Sequence, residues 1–191
     1  MKTLLFALLG LATFASAQNS DVERLGDTPV ETKFTSGGRI RMDLCPSRVD
    51  LVGSNESVVR VSYHPERDDV KVRLQVSGDS ADLSVTSCPH PFRITIAVPK
   101  ASGLYVRMFA GELNLSDVTG DKDIVLHFGH LNMDVGSPEK YGRVEASVNS
   151  GDLQASAFGV SKGGLFRSFD QKGPGNFRLY AHMGAGELAL R

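Results

Sequence analysis

The sequence predicts a single-domain, all-β fold of the β-solenoid type, on three observations. One short phrase, in essence glycine, polar, leucine, polar, apolar, recurs at Gly111-Glu112-Leu113-Asn114-Leu115, Gly129-His130-Leu131-Asn132-Met133, Gly151-Asp152-Leu153-Gln154-Ala155 and Gly186-Glu187-Leu188-Ala189-Leu190. Each copy follows a strand-like run, at 104–108, 124–128, 144–148 and 177–181, with the period-two alternation that sends side chains to opposite faces. The chain also holds 20 Gly against 8 Pro and no Trp, which supplies many tight turns. The leading glycines lie 18, 22 and 35 residues apart. A unit of two short strands cannot bury its apolar face alone, so units of this kind stack. The alternative is an antiparallel β-sandwich of hairpins, because several strand pairs are joined by turns short enough for either topology.

In chain order, 1–17 has a basic residue at Lys2, an apolar run from Leu4 to Phe14, and Ala15-Ser16-Ala17 before Gln18. That is the layout of a cleaved secretory signal, and the apolar run is too short for a membrane span. No second apolar stretch follows, so no transmembrane segment is expected after cleavage, and the location is expected to be extracytoplasmic, periplasmic or secreted. Residues 18–31 are polar and without periodicity and read as a flexible lead-in, ahead of one solenoid domain at 32–191. Strands are expected at 39–44, 49–52, 58–63, 70–76, 81–86 and 92–98, separated by turn residues such as Gly53-Ser54-Asn55 and Ser77-Gly78-Asp79-Ser80. Pro99 cannot donate to a ladder and should close this first section. The long last interval leaves room for a degenerate rung with its strand at 165–169. The aromatic cluster Phe158, Phe166, Phe169, Phe177 and Tyr180 is expected to serve as core and end cap. No helix of useful length fits.

A composition of 41% hydrophobic and 23% charged residues is that of an ordinary globular domain and excludes disorder of the whole. The net charge is −1, with Lys and Arg scattered singly, as in Arg39-Ile40-Arg41. Nucleic-acid binding needs a basic patch that displaces counterions from phosphates, and none is visible. The only cysteines are Cys45 and Cys88. An even pair in a secreted chain most simply forms one disulfide, which here would tie the ends of two strand-like runs.

The run Ile94-Thr95-Ile96-Ala97-Val98-Pro99 leading into Leu104-Tyr105-Val106, with the glycine-polar-leucine phrases after it, resembles the bacterial putative-adhesin family of secreted β-solenoid domains of unknown function. The resemblance covers about 39–191. It implies a right-handed, helix-like stack of short strands and an extracytoplasmic location, and it carries no catalytic residues to transfer. The cysteine pair is outside the general pattern of that family and rests on the cysteine argument alone.

Motifs with a chemical spelling read here as turns. Gly159-Val160-Ser161-Lys162-Gly163 matches a serine-hydrolase elbow but is followed by Gly164 and a strand-like run, where the elbow needs a helix. Gly184-Ala185-Gly186 lies too close to the end of the sequence for the helix a dinucleotide loop requires. His127 and His130 lack an assured third metal ligand, and Asp117, Asp121 and Asp123 surround one turn without an EF-hand loop. No catalytic, cofactor or metal residue is therefore expected. Glu112, His130, Asp152 and Glu187 take the equivalent place in the four copies and form a candidate binding stripe. The function expected is a non-enzymatic structural or interaction module, adhesin-like, whose partner is an envelope or surface protein or glycan. The alternative is a polysaccharide-cleaving β-helix enzyme using the same carboxylates.

Overall fold

The computed structural model of the protein describes residues 20–25, 29–64, 69–89 and 91–191. The expected leader, 1–17, lies outside them. The described residues form an all-β molecule of thirteen strands in one open sheet: β1 (Ser20–Leu25), β2 (Val30–Lys33), β3 (Arg39–Leu44), β4 (Ser47–Ser54), β5 (Val58–His64), β6 (Lys71–Ser77), β7 (Ser80–Thr86), β8 (Arg93–Pro99), β9 (Gly103–Ser116), β10 (Lys122–Met133), β11 (Tyr141–Ala155), β12 (Val160–Lys172) and β13 (Phe177–Leu190). Pro138–Lys140 and Ser156–Phe158 make single 3₁₀ turns. The segment expected as a flexible lead-in contains β1, whose backbone pairs with β6, and the start of β2.

Each repeat phrase is fused to the run before it in one long strand bent at its glycine. Gly111, Gly129, Gly151 and Gly186 hold φ of 126°, 124°, 128° and 137°, a region that side chains disfavour. The bend changes which face looks inward. In β9 the buried residues are Leu104, Val106 and Met108 before the glycine and Leu113 and Leu115 after it. The odd interval of five from Met108 to Leu113 reverses the period-two phase. The same interval separates Leu126 from Leu131, Val148 from Leu153 and Met183 from Leu188. Each bent strand therefore offers two arms, one before and one after the glycine, and both feed one core. Leu113, Leu131, Leu153 and Leu188 are all fully buried in that cluster.

A further bent unit was not expected as a repeat. Ile40, Met42 and Leu44 of β3, then Val49 and Leu51 of β4, are buried at the same spacing. β3 pairs in parallel with the first arm of β9 and β4 with the second. Its corner is Cys45-Pro46-Ser47 in place of glycine, with Ser47 opposite Gly111.

The parallel units stack in register in the order β3/β4, β9, β10, β13, β11. The last strand in sequence is thus inserted between β10 and β11. The degenerate rung expected at 165–169 is β12, which runs antiparallel to β11 at the edge of the sheet. At the opposite end the first arm continues through β7, parallel, to β6 and β1, antiparallel. The second arm continues through β8, parallel, to β5 and β2, antiparallel. Parallel pairing in the middle and antiparallel pairing at both ends coexist in this sheet.

The aromatic cluster is only in part a cap. Phe158 and Phe169 meet with ring centroids 5.5 Å apart and pack on the core with Phe177. Phe166, at φ 52° on the edge strand, is 80% exposed, and Tyr180 points outward at 39%. An outward position on an antiparallel edge strand has no core to cover, which is why Phe166 fails the expectation.

Candidate functional site

The register carries each outward side chain of the stack into a row across the strands, neighbours lying about 4.8 Å apart. On the second arm, the position after the corner glycine forms the row Arg48, Glu112, His130, Glu187, Asp152. The four residues of the candidate stripe therefore share one row, in an order set by the insertion of β13, and Arg48 joins them from the unit with the cysteine corner. Arg48 Nη1 lies 3.4 Å from Glu112 Oε2 and His130 Nδ1 3.8 Å from Glu187 Oε2. The next outward row holds Asp50, Asn114 and Asn132. Asn132 Nδ2 donates to Asn114 Oδ1 at 3.0 Å, and Asn114 Nδ2 to Asp50 Oδ1 at 2.9 Å. This is an amide ladder running with the stack.

The outer face of the first arm is different in character. One row reads Asp82, Arg41, Tyr105, Asp123, Tyr180, Glu145 and the next Ser84, Asp43, Arg107, Val125, His182, Ser147. Arg107 is held on every side. Its Nη2 donates to Asp123 Oδ1 at 2.7 Å, its Nη1 to the carbonyls of Val106 and Asp123, and its guanidinium lies 3.5 Å over the Tyr105 ring. Ser147 Oγ and His182 Nδ1 are 2.8 Å apart. Burial, with His127 nearby, lowers the His182 pKa below its usual value. Toward the corner the face becomes apolar. Phe109 is 61% exposed and Phe128 50%, with ring centroids 5.4 Å apart edge to face, and Phe109 lies 5.9 Å from the His127 ring. Beside them a trough of about 450 Å³ runs over Asp43, Ser84, Thr86 and Arg107. The sequence signal for this patch was an aromatic residue at or just before two corner glycines, where the repeat pattern alone asks for nothing apolar.

Cys45 and Cys88 are bonded, with Cα atoms 6.0 Å apart, joining the corner of the β3/β4 unit to the segment after β7. His127 and His130 stand on different arms, one on each side of the corner glycine, so they do not converge. Among the described residues no group of three or more His, Cys, Asp or Glu is placed to hold a metal ion. Asp123 is engaged by Arg107 and Asp121 accepts the Arg178 backbone N–H at 2.8 Å. Ser161 lies on β12, a strand rather than the helix of a hydrolase elbow.

A charged side chain is buried against the core. Lys122 stands at an inward position of β10, 1% exposed, and its Nζ donates to the Gly120 carbonyl at 3.1 Å and the Tyr141 hydroxyl at 2.7 Å. Tyr141 OH in turn donates to the Val135 carbonyl. Burial lowers the Lys122 pKa to about 8 and raises that of Tyr141 to about 12. The pair ties together the loops that lead into and out of β10.

No family model and no curated protein sequence matches the chain. Its fold is shared with a putative cell adhesion protein from Clostridium sporogenes, at a TM-score of 0.54 and 10% identity over 91% of this chain and 99% of that one. A putative adhesin from Bacteroides fragilis aligns over 90% of this chain and 97% of that one at 10% identity, with a TM-score of 0.36, too loose a superposition to carry an argument. At 10% identity the likeness to the first of these concerns fold alone. Among the described residues no helix is long and apolar enough to cross a membrane.

Proposed function

We infer that the protein is a non-enzymatic, extracytoplasmic interaction module, adhesin-like, that binds envelope or surface material through an outer face of a solenoid stack. The observation that carries this reading is the register. Five parallel units align their outward side chains in rows across the strands, so a face offers polar contacts over an extended surface, which is how stacked-repeat proteins bind. A disulfide belongs to an oxidising compartment, in keeping with the leader expected at 1–17, and the fold is one shared with a protein named for cell adhesion. The carboxylates available to a polysaccharide-cleaving enzyme argue the other way. A glycosidase keeps one carboxyl protonated in an apolar pocket, whereas Glu112 and Glu187 face Arg48 and His130 on an open row.

The purified protein is expected to sediment saturably with envelope fragments of its source organism while leaving the viscosity and reducing ends of polysaccharide solutions unchanged. Failure to sediment at any concentration overturns the reading. So does release of reducing sugar that is lost in the Glu112→Ala, Asp152→Ala, Glu187→Ala variant.

A further inference from the structure

The trough on the first arm's outer face is lined by Phe109, and the ring of Phe128 meets that of Phe109 edge to face. Phe109 and Phe128 sit at 61% and 50% exposure, on a face whose rows otherwise hold mainly charged, hydroxylated or imidazole side chains. Rings left in water on a sheet face are unfavourable for solubility and mark surfaces that are covered in use. Next to Phe109 the trough presents an acceptor-only group, Asp43, a donor-only group, Arg107, and two hydroxyls that do both, Ser84 and Thr86. Arg107 is pinned by Asp123 and Tyr105 before any ligand arrives, so little ordering is needed on binding.

We propose that this trough binds an uncharged, linear glycan, whose sugar rings stack on Phe109 and Phe128 and whose hydroxyls bond to Asp43, Ser84, Thr86 and Arg107. The proposal rests on the interaction-module reading and names its ligand class. Charge balance selects the class: Asp123 offsets Arg107 and Asp43 pairs with Arg41, which leaves no cationic patch for a phosphate, a nucleic acid or an anionic lipid surface. The mixture of donors and acceptors suits a polyol, each of whose hydroxyls does both. Spacing agrees as well. Ser84, Asp43 and Arg107 are consecutive members of one row, separated by the strand spacing of about 4.8 Å, close to the advance of one pyranose ring along an extended chain. Successive sugars thus meet successive strands. A protein partner would instead need a contact of about 1,000 Å² or more, and one narrow trough with two rings at its end does not offer that area.

The test uses affinity electrophoresis in gels containing xylan, mixed-linkage β-glucan or dextran, with pelleting on cellulose and chitin. At least one of these is expected to retain the wild-type protein. Phe109→Ala with Phe128→Ala should weaken retention by at least about tenfold at unchanged circular dichroism and melting temperature, since both rings are outside the core. The Glu139→Ala variant, altered in the exposed 3₁₀ turn before β11, should be retained like wild type. A parallel arm uses envelope fragments treated with periodate, which destroys vicinal diols, or with protease. Sedimentation abolished by periodate and spared by protease supports the glycan. Sedimentation abolished by protease alone, or unaffected by the double phenylalanine variant, overturns the glycan while leaving the interaction module standing. Absence of sedimentation with untreated envelope overturns both.

Discussion

Lys122 is the residue whose chemistry departs furthest from its surroundings. It takes the inward place that Leu104 and Leu179 take on the strands beside it, so an ammonium group stands where the stack otherwise puts a hydrocarbon. Its pKa of about 8 in the folded chain lies below the unfolded value of about 10.4. Between these values the unfolded chain holds the proton more tightly, so stability rises with pH. Below pH 8 the buried charge costs about 3 kcal/mol. Tyr141 acts in the opposite sense higher up: with a folded pKa of about 12, it keeps its proton after the unfolded chain has lost its own, and stability falls as pH climbs from 10 to 12. Lys122→Met should therefore be more stable than wild type at pH 7, and denaturant titrations should show the gap narrowing as pH rises from 8 to 10. A gap independent of pH would mean that the Lys122 pKa is the same in the folded and unfolded chain. This residue was not legible in the sequence. The alternation of Ile124 and Leu126 puts position 122 on the same inward face, but a charged side chain ahead of the apolar run reads as the turn before the strand rather than as its first buried residue.

At the scale of the strand, the corner decides which features could be read in advance. Glycine at 111, 129, 151 and 186 was visible because a Cβ there would strike the carbonyl of the next corner, as Gly129 shows against Gly111 and Gly186 against Gly129. The β3/β4 unit was missed as a repeat because it turns its corner with Cys45-Pro46-Ser47, and only the five-residue step from Leu44 to Val49 betrays it. The place of β13 between β10 and β11 could not be read at all, since sequence periodicity sets which face of a strand is buried but not which strand it lies beside. The edge strand β12 carries a different logic. Lys162 and Arg167 lie opposite the inward residues Leu153 and Val148. Lys162 Nζ donates to the Ser168 carbonyl and Arg167 Nε to the Gly163 carbonyl, each at 2.7 Å, so the two charged chains reach across the bend of their own strand below the last apolar layer. Inward charges on an edge strand discourage a further strand from adding. Replacing both with valine should extend the apolar surface to the rim and shift the protein to larger species in light scattering. An unchanged mass across the concentration range would show that the edge is protected by something else.

For the molecule as a whole, each parallel unit pairs only with its neighbours in the sheet, and one join differs from the rest in lacking a glycine at one of its two corners. That join is the β3/β4 corner, and the Cys45–Cys88 bond sits on it, closing a separation of 43 residues that spans β4 to β7. A closed loop of that size restricts the unfolded chain and stabilises the fold by about 4 kcal/mol. For a domain of this length the loss corresponds to a fall in melting temperature of roughly 10 °C. Because the bond reaches only the N-terminal side of the stack, its loss should not be spread evenly. Amide exchange in β6 and β7 is expected to accelerate on reduction well before exchange in β10 and β13, which are paired on both sides by long in-register strands. The Cys45→Ser, Cys88→Ser variant should reproduce the reduced protein in both respects. If reduction leaves the melting midpoint where it was, the corner is held by the parallel pairing of β3 and β4 with β9 alone, and the disulfide contributes to neither stability nor the order of opening.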